Sequence, residues 1–123
     1  MTLNEYQDRA MSTCMDTCDN YEYMMDNLIA EVGEFAGKVA KMKRKKEIFF
    51  TQEGNFYFTS SLSKEEQAAR MEELKKEAGD ILWQTAGLCF VMGWRLEDVG
   101  QGNLEKLASR KARGVIAGEG DNR

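Results

Sequence analysis

Apolar residues recur every three or four positions along two long stretches of this chain, which is the spacing of an amphipathic helix. We predict one helix that starts near residue 20 and runs to about Lys46, and another that opens at Ser63 and stops at Gly93. The core-facing positions of the first are Tyr21, Met24, Met25, Leu28, Val32, Phe35, Val39 and Met42. Those of the second are Met71, Leu74, Ala78, Ile81, Leu82, Thr85, Leu88 and Met92.

Two further helices are predicted, one at each end of the chain. Thr2 and Glu5 have the spacing of a capping box and predict a helix over residues 3–17, and Asp19 with Glu22 suggests the same for the start of the second helix. The last helical stretch ends before residue 114. Its apolar positions are Leu96, Val99, Leu104, Leu107 and Ala108, with a break predicted near Gly100 and Gly102.

The segment between the second and third helices has a different pattern. Residues 48–59 contain two aromatic, β-prone runs around a Glu-Gly-Asn turn signal, which predicts a β-hairpin. The glycine-rich tail, from about residue 115 to 123, is expected to be flexible unless a contact fixes it. We therefore predict a single all-α domain over residues 1–123, a four-helix bundle with a small hairpin inserted between helices two and three.

Composition agrees with this class and excludes several functions. The chain has no proline and eight methionines, which favours uninterrupted helices. A net charge of −4 gives no basic field for nucleic acid, and the absence of histidine removes imidazole-based catalysis. The polar start and the lack of a long apolar run predict a cytoplasmic protein with no membrane partner.

Two acidic blocks carry the most specific candidate chemistry. Glu31 and Glu34 flank Gly33, and Glu77 and Asp80 flank Gly79, so each block places two carboxylates on one helix face. If the two helices pack antiparallel with the glycines allowing close approach, all four acids converge into a site for Mg²⁺, with Mn²⁺ as a possible substitute. The alternative is two ordinary acidic pairs on solvated helix faces.

Cations and aromatic rings supply candidate substrate contacts. Asn103, Lys106 and Arg110 fall at positions i, i+3 and i+7 of one helix face and form a cationic ridge suited to phosphates. Lys38 follows Glu34 by four residues, which fits either a phosphate contact or a simple intrahelical ion pair. Trp83 offers an aromatic platform for a base, although a core role is the common alternative.

Taken in order, Glu31-x-x-Glu34, Glu77-x-x-Asp80 and the Asn103, Lys106, Arg110 series resemble the motifs of the MazG-like all-α nucleoside triphosphate pyrophosphohydrolases. The resemblance covers roughly residues 20–115. It implies a MazG-like bundle that hydrolyses a (deoxy)nucleoside triphosphate to the monophosphate and pyrophosphate, with Mg²⁺ held by the four acids. Glu34 is the first candidate for the general base.

Two other hypotheses remain open from the sequence alone. One is a non-enzymatic helical interaction module in which the acidic cluster is vestigial. The other is a carboxylate-bridged redox metal protein, which the lack of histidine disfavours. Since the helices carry more apolar surface than a 14.0 kDa bundle can cover, we expect a homodimer or homotetramer.

Overall fold

The computed structural model describes residues 1–123 and contains four helices and one hairpin. The elements in chain order are α1 (Leu3–Met11), α2 (Tyr21–Arg44), β1 (Ile48–Phe50), β2 (Phe56–Phe58), α3 (Lys64–Val91) and α4 (Leu96–Ala112). The strands pair antiparallel, with Ile48 opposite Phe58 and Phe50 opposite Phe56. The predicted fold class, all-α with an inserted hairpin, is confirmed. None of the helices combines enough length and hydrophobicity to span a bilayer.

Helices α2 and α3 form the antiparallel pair that organises the molecule. Near the hairpin, Met42 of α2 packs with Leu74 of α3 and Ile48 of β1 in one buried cluster. At the opposite end, the side chain of Met24 in α2 lies against Gly87 of α3. The middle of each helix, which carries an acidic block, therefore faces the middle of the other.

Helix α1 and the start of α4 close the far end of this pair through a buried glutamine. The side-chain amide of Gln7 donates to the carbonyl oxygens of Ala86 (3.2 Å) and Trp94 (3.0 Å), and its oxygen accepts from the backbone N–H of Leu96 (3.1 Å). Because Gln7 is only 1% exposed, these bonds replace the water that it gives up on folding. They fix α1 and α4 to the end of α3.

The predicted extent of α1 was wrong, because the helix ends at Met11 and not at residue 17. The hydroxyls of Ser12 and Thr13 donate to the carbonyl oxygens of Arg9 and Ala10, and such local bonds compete with helix continuation. The cap of α2 also differs from the Asp19 prediction. Asn20 accepts from the backbone N–H of Tyr23 in the capping position.

The other helix ends depart less from prediction. The Thr2 and Ser63 capping boxes both form as expected. Helix α2 ends at Arg44, and Lys46 takes a left-handed backbone conformation (φ 59°) that turns the chain into the hairpin. The predicted break in α4 does not occur, since the helix runs continuously through Gly100 and Gly102.

Several positions predicted for the core lie at the surface. Large apolar side chains of both long helices remain exposed on the α2–α3 pair. We call these exposed side chains the apolar face; they are Val32, Met71 and Leu82, which were predicted for the core, and Ile29, which was not. Tyr21 and Met92, also predicted for the core, are about half exposed.

The close helix approach occurs at a different glycine from those predicted. A Cβ added at Gly33 or Gly79 would meet no atom within 4 Å, so these two glycines do not serve backbone contact. A Cβ at Gly87 would overlap the sulfur and terminal methyl of Met24, which has no exposed surface. The glycine of α3 that is packed closely by a side chain of α2 therefore lies away from the acidic blocks.

This difference gives a stability prediction for three matched substitutions. Gly33→Ala and Gly79→Ala should each raise the free energy of unfolding by roughly 0.5–1 kcal/mol, because alanine is the better helix former and the space is open. Gly87→Ala should lower it, because overpacking costs about 1–3 kcal/mol and exceeds the propensity gain. Urea unfolding of the three variants measures whether each substitution raises or lowers the free energy of unfolding. A loss of stability at Gly33 or Gly79 would contradict the open geometry there.

Candidate functional site

The structure brings three acids of the two blocks together at the middle of the α2–α3 pair. One carboxylate oxygen from each of Glu31, Glu34 and Glu77 lies within 4.8 Å of the others. Glu31 and Glu34 are three residues apart on α2, and Glu77 reaches them from α3. We call these residues the carboxylate cluster. Asp80, the fourth predicted ligand, is exposed and lies outside this group.

Glu77 is the buried member of the carboxylate cluster, with 7% of its surface exposed. Its Oε1 forms an ion pair with Nζ of Lys38 at 2.6 Å, which joins the two long helices. Its Oε2 is buried and has no hydrogen-bond partner. A buried carboxylate oxygen without a partner is costly, so this atom needs a donor or a cation.

The carboxylate cluster perturbs Glu31 most clearly. Burial and the charges of Glu34, Asp80 and Glu77 raise the pKa of Glu31 above its ordinary value. Asp80 is therefore close enough to act on the cluster electrostatically. The three clustered carboxylates repel one another when ionised, Asp80 adds to the repulsion on Glu31, and a bound divalent cation would offset it.

The raised pKa of Glu31 predicts how stability depends on pH in metal-free protein. A carboxyl with a raised folded-state pKa binds its proton more tightly when folded, so ionised Glu31 destabilises the fold at neutral pH. This cost disappears as the pH falls toward the ordinary value near 4.5. We expect Glu31→Gln to raise the Tm of metal-free protein at about pH 8, and the gain over wild type to shrink by about pH 5.

Thermal unfolding in chelator measures this difference, with Asp26→Asn as control. Asp26 is an exposed acid on α2 that takes part in no ion pair. A gain in Tm for Glu31→Gln that does not change with pH would contradict repulsion between Glu31 and the neighbouring carboxylates. An equal gain in Tm for Asp26→Asn would contradict it too.

The predicted cationic ridge on α4 contacts the tail of the chain. Arg110 is buried and its guanidinium donates to a carboxylate oxygen of Asp121 at 3.0 Å, and Nζ of Lys106 lies 3.4 Å from the same oxygen. Asn103 is exposed nearby on the same helix. These contacts fix part of the tail to α4. The ridge binds the carboxylate of Asp121, whereas the sequence predicts that it binds a substrate phosphate.

Trp83 has a structural role that its sequence position did not reveal. Its indole N–H donates to the carbonyl oxygen of Ala10 (3.1 Å) and to the hydroxyl of Thr13 (3.0 Å), which ties the end of α1 to α3. Burial and the nearby charge of Asp80 raise the pKa of the Tyr6 hydroxyl on α1. Helix α1 therefore borders the acidic site.

A cationic cleft of about 240 Å³ adjoins the carboxylate cluster on the side of the hairpin. The basic run at the end of α2 suits the helix dipole and a solvated helix end, but the spacing of Lys38, Lys41 and Lys45 places these three lysines on one face. The cleft is lined by Lys38, Lys41, Met42, Lys45, Glu47, Arg70, Glu73 and Leu74. Lys38 belongs both to this cleft and to the ion pair with Glu77.

Comparison with known proteins gives one relative and one family match. The chain is 37% identical to the Gene 37 protein of Mycobacterium phage L5, in an alignment that covers the whole of both sequences. No solved structure gives a significant match. The profile of the MazG nucleotide pyrophosphohydrolase domain matches residues 19–115, which include both acidic blocks and the α4 ridge. The chain therefore belongs to the MazG nucleotide pyrophosphohydrolase domain family.

Proposed function

We propose that the protein hydrolyses (deoxy)nucleoside triphosphates to the monophosphate and pyrophosphate in a Mg²⁺-dependent reaction. The observation that carries this proposal is the carboxylate cluster with its unpartnered buried oxygen on Glu77, within a pyrophosphohydrolase family domain. Sites of this kind neutralise and position phosphates and need no protein nucleophile.

The residues present fit a hard divalent cation. Glu31, Glu34 and Glu77 offer only oxygen atoms, the ligands that Mg²⁺ and Mn²⁺ prefer, and Oε2 of Glu77 lacks any other partner. Asp80 is proposed as a further ligand that joins when the ion binds. When bound, Mg²⁺ would offset phosphate charge and lower the pKa of a water molecule.

The chain's own residues would divide the remaining work. Water attacks the α-phosphorus, the bond to the oxygen that bridges to the β-phosphorus breaks, and that oxygen leaves with pyrophosphate. Glu34, the exposed member of the cluster, accepts the proton of the attacking water. Lys38 holds Glu77 in place through the 2.6 Å ion pair and carries positive charge beside the reacting phosphates.

Asn103, Lys106 and Arg110 remain proposed substrate contacts, on the condition that the Asp121 carboxylate yields to a phosphate oxygen. Both ligands are anionic oxygens suited to a guanidinium. Trp83 is proposed to border the base through its ring, since its N–H is already bonded to α1.

Product analysis tests the proposal. The purified protein is incubated with each (d)NTP and Mg²⁺, and nucleotides and phosphates are resolved by ion-exchange chromatography. We expect monophosphate and pyrophosphate in equal amounts, and none in the presence of chelator. Diphosphate with orthophosphate would contradict the bond assigned here, and no product from any nucleotide would favour the non-enzymatic interaction module.

We also propose that the protein is a homodimer or homotetramer joined through the apolar face. Ile29 is 64% exposed, and Val32, Met71 and Leu82 on the same two helices are each more than 40% exposed, which is a large amount of apolar surface for a small monomer. Light scattering after gel filtration should give a multiple of 14.0 kDa. A monomeric mass at micromolar concentration would contradict the proposal.

A further inference from the structure

Acids and cations form one row along α2 and its C-cap residue, Lys45. Glu31 and Glu34 are followed by Lys38, Lys41 and Lys45, with successive spacings of three, four, three and four residues. This is the spacing of a single helix face. The face therefore changes from negative to positive charge at Lys38, toward the C-terminal end of α2.

The cationic cleft occupies the positive part of this row. Its four cations, Lys38, Lys41, Lys45 and Arg70, outnumber its two acids, Glu47 and Glu73, and so leave a local charge of +2 on a chain of net charge −4. Positive charge in a concave site of an acidic protein attracts anions selectively.

Two of these cations have no carboxylate partner. Arg70 is paired with Glu47 at 3.2 Å and with Glu73 at 3.7 Å, and Lys38 is paired with Glu77. Lys41 and Lys45 take part in no ion pair. On α4, by contrast, both cations of the ridge already bind Asp121. The free positive charge beside the acids is therefore in the cleft.

The size of the cleft favours a small anion over a nucleoside. Its volume of about 240 Å³ lies below the roughly 300–1,000 Å³ of pockets that enclose drug-sized ligands. Six of its eight lining residues are charged, and the apolar ones are Met42 and Leu74. Such a lining contains no aromatic ring for a base to stack on, but offers several N–H donors to phosphate oxygens.

We propose that this cleft binds the β- and γ-phosphates of the substrate, with Lys41 and Lys45 as the residues that hold the departing pyrophosphate. The inference rests on the proposed function, because it places the bond to be broken at the carboxylate cluster. It orients the substrate along α2, with the polyphosphate toward the hairpin and the nucleoside toward α1. Free pyrophosphate should bind the same cleft.

Binding of inorganic pyrophosphate tests the proposal without any turnover. Calorimetry is performed in chelator at low ionic strength, where exposed charges are screened least. The double variant K41Q/K45Q should weaken pyrophosphate binding about tenfold, since two charge-assisted contacts are lost. The control K43Q/R44Q removes the same charge from the same helix end. Lys43 lies over the ring of Phe50, and neither residue lines the cleft.

Steady-state kinetics with a triphosphate substrate and Mg²⁺ separates substrate from free product. We expect K41Q/K45Q to raise KM about tenfold with little change in kcat, as for contacts made equally in ground and transition states. K43Q/R44Q should leave both parameters near wild type. A third variant, K106Q, tests the α4 ridge in the same assays.

The outcomes distinguish this proposal from the proposed function. Three results would each overturn the cleft assignment even if hydrolysis occurs. They are an equal loss of pyrophosphate affinity in K41Q/K45Q and K43Q/R44Q, a loss of affinity confined to K106Q, and no pyrophosphate binding by the wild-type protein. Pyrophosphate binding that depends on Lys41 and Lys45, without hydrolysis of any nucleotide, would support the anion site and reject the hydrolase.

Discussion

Glu77→Gln is expected to reduce pyrophosphate release by at least about 100-fold, the scale of losing a charged group that acts directly on the reacting centre. Glutamine keeps the shape of the side chain and an oxygen for Lys38, but it removes the charge that would bind a cation at the buried Oε2 position. Circular dichroism should be unchanged, because the α2–α3 contacts elsewhere remain. Mg²⁺ is expected to raise the Tm of the wild-type protein, and this rise should be absent in the variant.

Glu72→Gln is the matched control for this substitution. Glu72 lies on α3 slightly more than one turn before Glu77, is exposed, and takes part in no ion pair. It should retain wild-type turnover and the Mg²⁺-dependent stabilisation. Comparable rates in the two variants would mean that the buried carboxylate has only a structural role.

Glu34→Gln should lower kcat by about 100-fold to 10,000-fold, the usual effect of removing a general base. Because Glu34 is exposed, takes part in no ion pair and repels Glu31, the free energy of unfolding of the metal-free variant should equal or slightly exceed that of wild type. Initial rates of pyrophosphate release and urea unfolding measure the two effects.

The pH dependence of the reaction rate distinguishes a general base at Glu34 from a residue that only binds the metal ion. If Glu34 accepts the proton, the residual activity of the variant should lose the acid limb of the wild-type profile. Asp26→Asn on the same helix should keep both the rate and the profile. A variant that retains more than a tenth of the wild-type rate would exclude Glu34 as the base and leave Glu31 or Asp80 for that role.

Hydrophobic spacing predicted the long helices well because their buried faces repeat over many turns. Both ends of α3 and the hairpin at Ile48–Phe58 lie where the pattern predicts them. The end of α1 was missed because side-chain bonds from Ser12 and Thr13 compete with the helix, and hydrophobic periodicity does not register such local competition.

The meeting of the acidic blocks was predictable because i, i+3 spacing fixes the face on which the acids lie. The distance between the two helices at the acidic blocks could not be predicted, since it depends on packing elsewhere, at Met24 and Gly87. For this reason, Gly33 and Gly79 were wrongly interpreted as points of close approach. The partner of the α4 ridge could not be predicted either, because Asp121 reaches Arg110 only when the tail folds back.

The cationic cleft shows another limit of the sequence pattern. Lys41 and Lys45 share a face of α2, but Arg70 and Glu73 complete the concave wall from α3. A run of basic residues at a helix end is usually solvated, and only the packing of the second helix makes it a site.

Diffraction from crystals grown with Mn²⁺ tests the central claim most directly. An anomalous difference map should place the ion between Glu31, Glu34 and Glu77, with Oε2 of Glu77 among its ligands at about 2.2 Å. Glu77→Gln crystals under the same conditions should lack the peak. An empty carboxylate cluster at saturating Mn²⁺ with a bound substrate analogue, or a peak held by other residues, would contradict the account.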